Sequence, residues 1–413
     1  MAQPQDSTLQ DDFVGRMLWA LSDKSGLPAK RFAEFNPVPP LEWLLEAFSH
    51  ERFLQRDLAR FGFSSVKEED AELRFSLVRR PAPYDHAPPM TLASSGSMAS
   101  RWDGLMFQLA RWLVRHLDDP RLIIWIAERG GQMDSRWISL VDSELERLAT
   151  LERDGKVSEL DLIRLDAPKG VPDPKMRTLW RIVLGGRLKT PLSGGLLYRW
   201  IKRLRREGLN TSLRMELRSL LSPKITLRRP FVWDGEVADG ADETVRIKQL
   251  VDWDLVLAED NVHAVLQDQS KGEWEKALPL LHSDLQQLLC DALGLLRDLG
   301  EADDLVDRSY WDLPSITPHW QNRSFRDWVS LIELLRDAWL AVRATDESRS
   351  TLMAQAWFEI PYPTFKRLAL FAASQDNCIE QEQWVDWLLL DEGRWLWSQC
   401  TAREVLRLLV LQG

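Results

Sequence analysis

FEIPYPTFKRLALFAASQ, Phe358 to Gln375, places two prolines two residues apart directly before an apolar helical pattern. Proline is tolerated at the first helical position, where the backbone N–H has no intrahelical partner, and the residues before it are pushed toward extended conformations. Pro361 and Pro363 therefore fix the approach and the first turn of a helix. Phe365, Leu368, Ala369, Ala372 and Ala373 recur at i, i+3, i+4, i+7 and i+8, one buried face whose alanines let a neighbouring helix come close. On that wheel Lys366 and Arg367 point away from the stripe, and solvation is expected for both.

Outward from this segment the same grammar repeats. In HSDLQQLLCDALGLLRDLG, Ser283 and Gln286 read as a capping box, Leu285, Leu288, Leu289, Ala292, Leu295 and Leu296 as the stripe, and Gly300 as the stop. Cys290 lies on that stripe as a small core residue, and His282 and Asp284 read as helix-start residues rather than metal ligands. Ser100 to His116 reads as a helix stopped by Asp118, Asp119 and Pro120, Ser324 to Ala344 as another, and Thr401 with Glu404 opens a third. Strand character is local, in KITLRRPFVW (Lys224 to Trp233) and ELRFSLV (Glu72 to Val78). The fold expected is mainly all-α, an irregular α-solenoid or stacked helical hairpins with one or two short β segments, since no fixed repeat period emerges. Helical units are expected over 1–78, 101–163, 175–233 and 234–413, with Pro-rich linkers over 79–100 and 164–174.

The chain has 413 residues, 45% hydrophobic and 28% charged, a globular composition long enough for two or three units. No uncharged apolar run reaches the ~20 residues that span a bilayer, and MAQPQDSTLQDDF has no signal-peptide pattern, so a cytoplasmic protein without a membrane partner is expected. Its three cysteines are too scattered for a disulfide framework or a zinc site, and no metal is expected. The net charge of −10 hides an asymmetry. Lys175 to Arg229 holds 15 basic and two acidic residues, whereas Asp234 to Asp312 holds 20 acidic and six basic ones. Either the two segments face each other, or the basic one meets a phosphate-bearing partner such as nucleic acid. Its densest part, Tyr198 to Arg218, places Arg199, Lys202, Arg203 and Arg206 on one helical face as a candidate ridge for nucleic acid or a partner.

No nucleotide-binding βα fingerprint, Walker loop, HExxH or GxSxG occurs, so neither a cofactor nor a conventional active site is expected. GGRLKTPLSGG, Gly185 to Gly195, comes nearest to a phosphate loop but lacks the Walker spacing and reads as a turn between helices. In ARWLVRHLDDP, Arg111 and His116 form an R-x4-H pair that resembles the HEPN ribonucleases, although the polar residue typical after the Arg is Trp112 here. That resemblance implies His116 as general acid or base and Arg111 as stabiliser of a phosphorane. The alternative is a helix-end histidine interacting with the C-terminal carbonyls and with Asp118 or Asp119.

Two longer stretches, LRMELRSLLSPKITLRRPFVW (Leu213 to Trp233) and Trp357 to Gly413, resemble the helical regions of very large bacterial proteins associated with defence against phage. Those proteins couple such a region to a sirtuin-like NAD-consuming domain or a STAND-type NTPase, modules whose fingerprints this chain lacks. The resemblance implies a non-enzymatic sensor or scaffold region that binds a protein partner or phage-derived trigger and controls an effector module in cis or in trans. It also leaves open that the chain is a segment of a longer polypeptide.

Overall fold

A computed structural model of the chain describes residues 40–42, 44–45, 110–128, 130–131, 133, 135–190, 195–230, 247–267, 272–319, 322, 326–376 and 378–413. The candidate strand 72–78, the linker 79–100, nearly all of the unit 1–78 and the first part of the Ser100–His116 helix lie outside these residues. The fold is mainly all-α, with a single two-stranded sheet among the described residues. The chain divides into two compact units, one formed by 1–186 with 228–236, the other by 187–227 with 237–413.

In the first unit a helical turn over 110–113 tightens into a 3-10 turn at Val114–His116. It is followed by α1 (Pro120–Glu128), α2 (Ser135–Arg153), α3 (Val157–Asp166) and α4 (Pro174–Leu184). Asp119 starts α1, with its carboxylate accepting from Arg121 N at 3.0 Å and Pro120 at the first position. Asp173 starts α4 in the same way, accepting from Met176 N at 2.7 Å ahead of Pro174. Trp137 and Trp180 meet edge to face at 6.1 Å, and the Trp180 indole donates to Leu117 O at 2.8 Å, so this aromatic core leaves no polar tip unsatisfied at Trp180. The stretch 164–174 is the end of α3 and a short turn, in which Val171 packs on Leu148, Leu151 and Leu160.

The second unit opens with α5 (Leu196–Glu207) and α6 (Thr211–Leu220), then β1 (Pro223–Arg228), α7 (Ile247–Leu250), β2 (Asp252–Leu257) and α8 (Val262–Gln267). The strands run antiparallel, with Ala258 N donating to Ser222 O, and Leu188 adds a parallel bridge at Ile225. The segment β2, DWDLVL, alternates exposed and buried residues as a one-sided strand should. Its alternation lies in an acidic stretch that helical periodicity did not flag.

Next come α9 (Glu273–Asp298), α10 (Ser309–Asp312), α11 (Ser330–Arg343) behind a 3-10 turn at Asp327–Val329, and α12 (Glu347–Glu359). The chain continues into α13 (Pro363–Ala373), α14 (Gln381–Trp397) and α15 (Ala402–Gln412). Helix α9 corrects the expected start at Ser283. It begins ten residues earlier and runs through Pro279, so Ser283 and Gln286 are mid-helix, and Gln286 instead accepts the Trp357 indole N–H at 3.0 Å. Pro279, the seventh residue of the helix, has no N–H to donate to Glu275 O, so α9 crosses it at the expense of one intrahelical bond. Helix α14 contains a left-handed turn at Asp391, Glu392 and Gly393, with φ of 49°, 63° and 80°, and so consists of two helical pieces.

Candidate functional site

Helix α13 begins at Pro363 as its sequence requires, yet all eleven of its residues are buried. That overturns the solvated placement expected for Lys366 and Arg367. Arg367 is 0% exposed, and its Nε and Nη2 donate to the two carboxylate oxygens of Glu404, each at 3.1 Å. Nη1 donates to Ser309 Oγ at 3.2 Å and Nη2 also to Leu313 O at 2.7 Å, while Glu404 accepts from Ile316 N at 2.9 Å. Asp307, also fully buried, accepts from the Thr364 amide and hydroxyl at 2.7 Å, placing a carboxylate at the N-terminus of α13. Glu404 is thus no capping-box residue for α15. Its carboxylate is consumed by Arg367, a fork-to-fork pairing that fits a planar guanidinium.

Lys366 follows a different route to burial. Its ammonium donates to Phe358 O and lies 4.5 Å from the Phe358 ring centroid and 5.7 Å from that of Trp395. Burial lowers its pKa, with Glu359, Asp304 and Asp391 opposing. Both cations of the opening stretch therefore serve packing inside the second unit.

The basic ridge forms on α5 with the expected register: Leu197, Trp200, Ile201 and Leu204 are buried, and Arg199, Lys202 and Arg206 are exposed. Arg203 is half-buried and pairs with Glu216 at 2.6 Å, and Arg206 pairs with Glu207. Among the described residues no carboxylate pairs with Arg199 or Lys202, so two of the four ridge cations carry unneutralised charge. Elsewhere the basic segment does meet the acidic one. Arg214 and Arg218 both reach Asp284, and Lys189 pairs with Asp260 at 2.9 Å. Asp284 is therefore an internal counter-ion, and His282 is stacked on Trp357 at 5.7 Å with its pKa pushed down to about 4 by burial and by Arg349. Burial, with Asp291 adding to it, pushes the half-buried Cys290 thiol up to about 11, far from a thiolate nucleophile.

The glycine-bracketed segment has its helix N-terminus filled from within. Glu259 Oε1 accepts from Gly195 N at 3.0 Å and from Leu196 N at 3.2 Å, where a phosphate would otherwise sit. Gly195 adopts φ 86°, a left-handed conformation that favours glycine and brings its N–H onto that carboxylate.

Arg111 and His116 are separated by the change of helix type. Arg111 is exposed and lines a cleft with Arg115 and Arg147, whereas His116 closes the 3-10 turn and is not part of that wall. The carboxylates beside it have other partners: Asp118 accepts from Asp173 N at 2.9 Å and Asp119 binds Arg121. Among the described residues no group of three or more His, Cys, Asp or Glu could hold a metal ion, and no helix is long and apolar enough to cross a membrane.

The C-terminal helix carries apolar residues on two sides. Helix α15 buries Val405 and Leu408 on one side, and Leu406, Leu409 and Val410 form a second stripe on the opposite side, with Leu406 64% and Val410 82% exposed. A helix apolar on both sides is ordinarily covered on both. Continued periodicity through LRLLVLQ was the available signal. Comparison with protein families, curated proteins and solved structures gives no match for this chain.

Proposed function

We propose that this chain is a non-enzymatic helical sensor or scaffold region of a bacterial antiviral defence system, which binds a protein trigger or partner and controls an effector supplied in cis or in trans. The outward stripe of α15 carries the reading: Leu406, Leu409 and Val410 lie at i, i+3 and i+4 and present contiguous exposed apolar side chains, the kind of surface a partner covers. The defence setting rests on the resemblance of residues 213–233 and 357–413. Consumption of the buried ionisable groups by one another, as in Arg367 with Glu404 and Asp284 with Arg214, agrees with binding rather than catalysis.

The test combines the purified chain with cells carrying it among its genomic neighbours. The chain alone is expected to leave NAD, ATP and RNA intact. The double variant Leu406→Glu/Val410→Glu, which changes only exposed positions, is expected to keep its circular dichroism and abolish protection against phage. Turnover of any of the three substrates by the wild-type chain, or full protection by the double variant, would overturn the reading.

A further inference from the structure

The first unit contains a cleft of about 580 Å3, within the range of small-molecule sites, roughly 300 to 1,000 Å3. Arg111 enters it from the helical turn over 110–113, Arg115 from the 3-10 turn, and Arg147 from α2. Two carboxylates share the rim and both are occupied. Arg147 holds Glu144 by two bonds, Nε to Oε2 at 2.8 Å and Nη2 to Oε1 at 2.5 Å. Arg115 Nη2 holds Asp166 through Oδ2 at 2.6 Å and the backbone oxygen at 2.9 Å. The surplus positive charge is that of Arg111, which no carboxylate among the described residues neutralises. The rest of the lining includes the apolar side chains of Val114, Leu140 and Ile163, all half-buried, and the exposed Leu162. Gly170 closes one side, where an added Cβ would stand 3.0 Å from Ala167 Cβ and 3.1 Å from Ala167 O, so the wall position admits no side chain without shifting.

We propose that this cleft binds a small organic anion with an apolar or aromatic body, its carboxylate or phosphate held by Arg111 and by the free N–H edges of Arg115 and Arg147. Guanidiniums already oriented by Glu144 and Asp166 lose little rotamer freedom on binding, and planar oxyanions match their fork geometry. The two carboxylates of the lining, Glu144 and Asp166, are held by Arg147 and Arg115, which suits the site to binding an anion. It stands independently of the α15 surface.

The experiment is a fluorescence titration of the full chain with 8-anilinonaphthalene-1-sulfonate, an aromatic monoanion, in the Leu406→Glu/Val410→Glu background, which removes dye binding at α15. Arg111→Glu is expected to weaken the dye at least about tenfold, Arg111→Gln by a smaller factor, and Arg111→Lys least of all. Displacement by decanoate would assign a fatty-acid-like carboxylate, and displacement by AMP a nucleotide phosphate. Dye affinity unchanged in both Arg111→Glu and Arg111→Gln, or bound dye displaced by neither competitor, would overturn the proposal.

Discussion

Removing the carboxylate of Glu404 tests the reasoning about α13 and α15 most directly. In Glu404→Leu the Arg367 guanidinium stays fully buried and keeps only Ser309 Oγ and Leu313 O as acceptors, having lost both 3.1 Å contacts to a counter-charge. Stranding one member of a buried ion pair costs about 3 to 5 kcal/mol. For a unit of this size that corresponds to a fall in Tm of roughly 6 to 20 °C. Arg367→Met in the same protein strands Glu404 with Ile316 N as its remaining donor and is expected to cost a similar amount. The double variant Arg367→Met/Glu404→Leu leaves no uncompensated charge. It still deprives Leu313 O, Ser309 Oγ and Ile316 N of partners, so a net loss of about 1 to 3 kcal/mol is expected, well short of the sum of the singles. Urea unfolding at pH 7, followed by tryptophan fluorescence and far-ultraviolet circular dichroism, measures all three. A cost below 1 kcal/mol for Glu404→Leu, or strict additivity in the double variant, would refute the buried pair as a coupled unit.

Other consequences follow from groups placed by the same unit. His282 has a folded pKa of about 4 against an ordinary value of 6.5, so the unfolded chain binds the proton first as pH falls. Stability is therefore complete above pH 6.5 and declines from there toward pH 4, by up to about 3 kcal/mol; His282→Phe should flatten that part of a stability-against-pH curve, and an unchanged slope would count against the assignment. Glu259→Ala removes the acceptor for Gly195 N and Leu196 N and should cost about 1 to 2 kcal/mol in chemical denaturation, while Glu259→Gln, which keeps an acceptor oxygen, should cost less. Equal losses in the two variants would show that the contact to the α5 N-terminus is not what Glu259 contributes.

Local chemistry carried much of the fold into the sequence. Pro363 at the first position of α13 and the apolar face of α5 both follow from rules that operate within one helical turn. Features set by distant segments were not legible. Arg367 finds Ser309, Leu313 and Glu404 from 58, 54 and 37 residues away, so a helical wheel showed it as a cation opposite the stripe and nothing nearby disclosed its partners. The Ser283–Gln286 capping pattern, with His282 and Asp284 beside it, suggested a helix start, but stacking of His282 on Trp357 and pairing of Asp284 with Arg214 and Arg218 favour one continuous α9. The candidate cleft was legible only in part. Arg111 stood out through its spacing to His116, yet its actual companions Arg115 and Arg147 are brought to it by the 3-10 turn and by α2.

The pairing of Arg367 with Glu404 also bears on how similar helices choose their neighbours while the chain folds. Apolar stripes such as those of α13, α14 and α15 are nearly interchangeable, and an alanine-rich face accepts many partners at similar energy. A guanidinium at the centre of α13 removes that indifference. Any helix docking there without a carboxylate at the right height, or α15 arriving one turn out of register, leaves a charge in a dry interior and detaches again. The Arg367→Met/Glu404→Leu chain is therefore expected to populate misdocked compact states that the wild type rejects, and a double variant that unfolds as cooperatively as the wild type would count against this role.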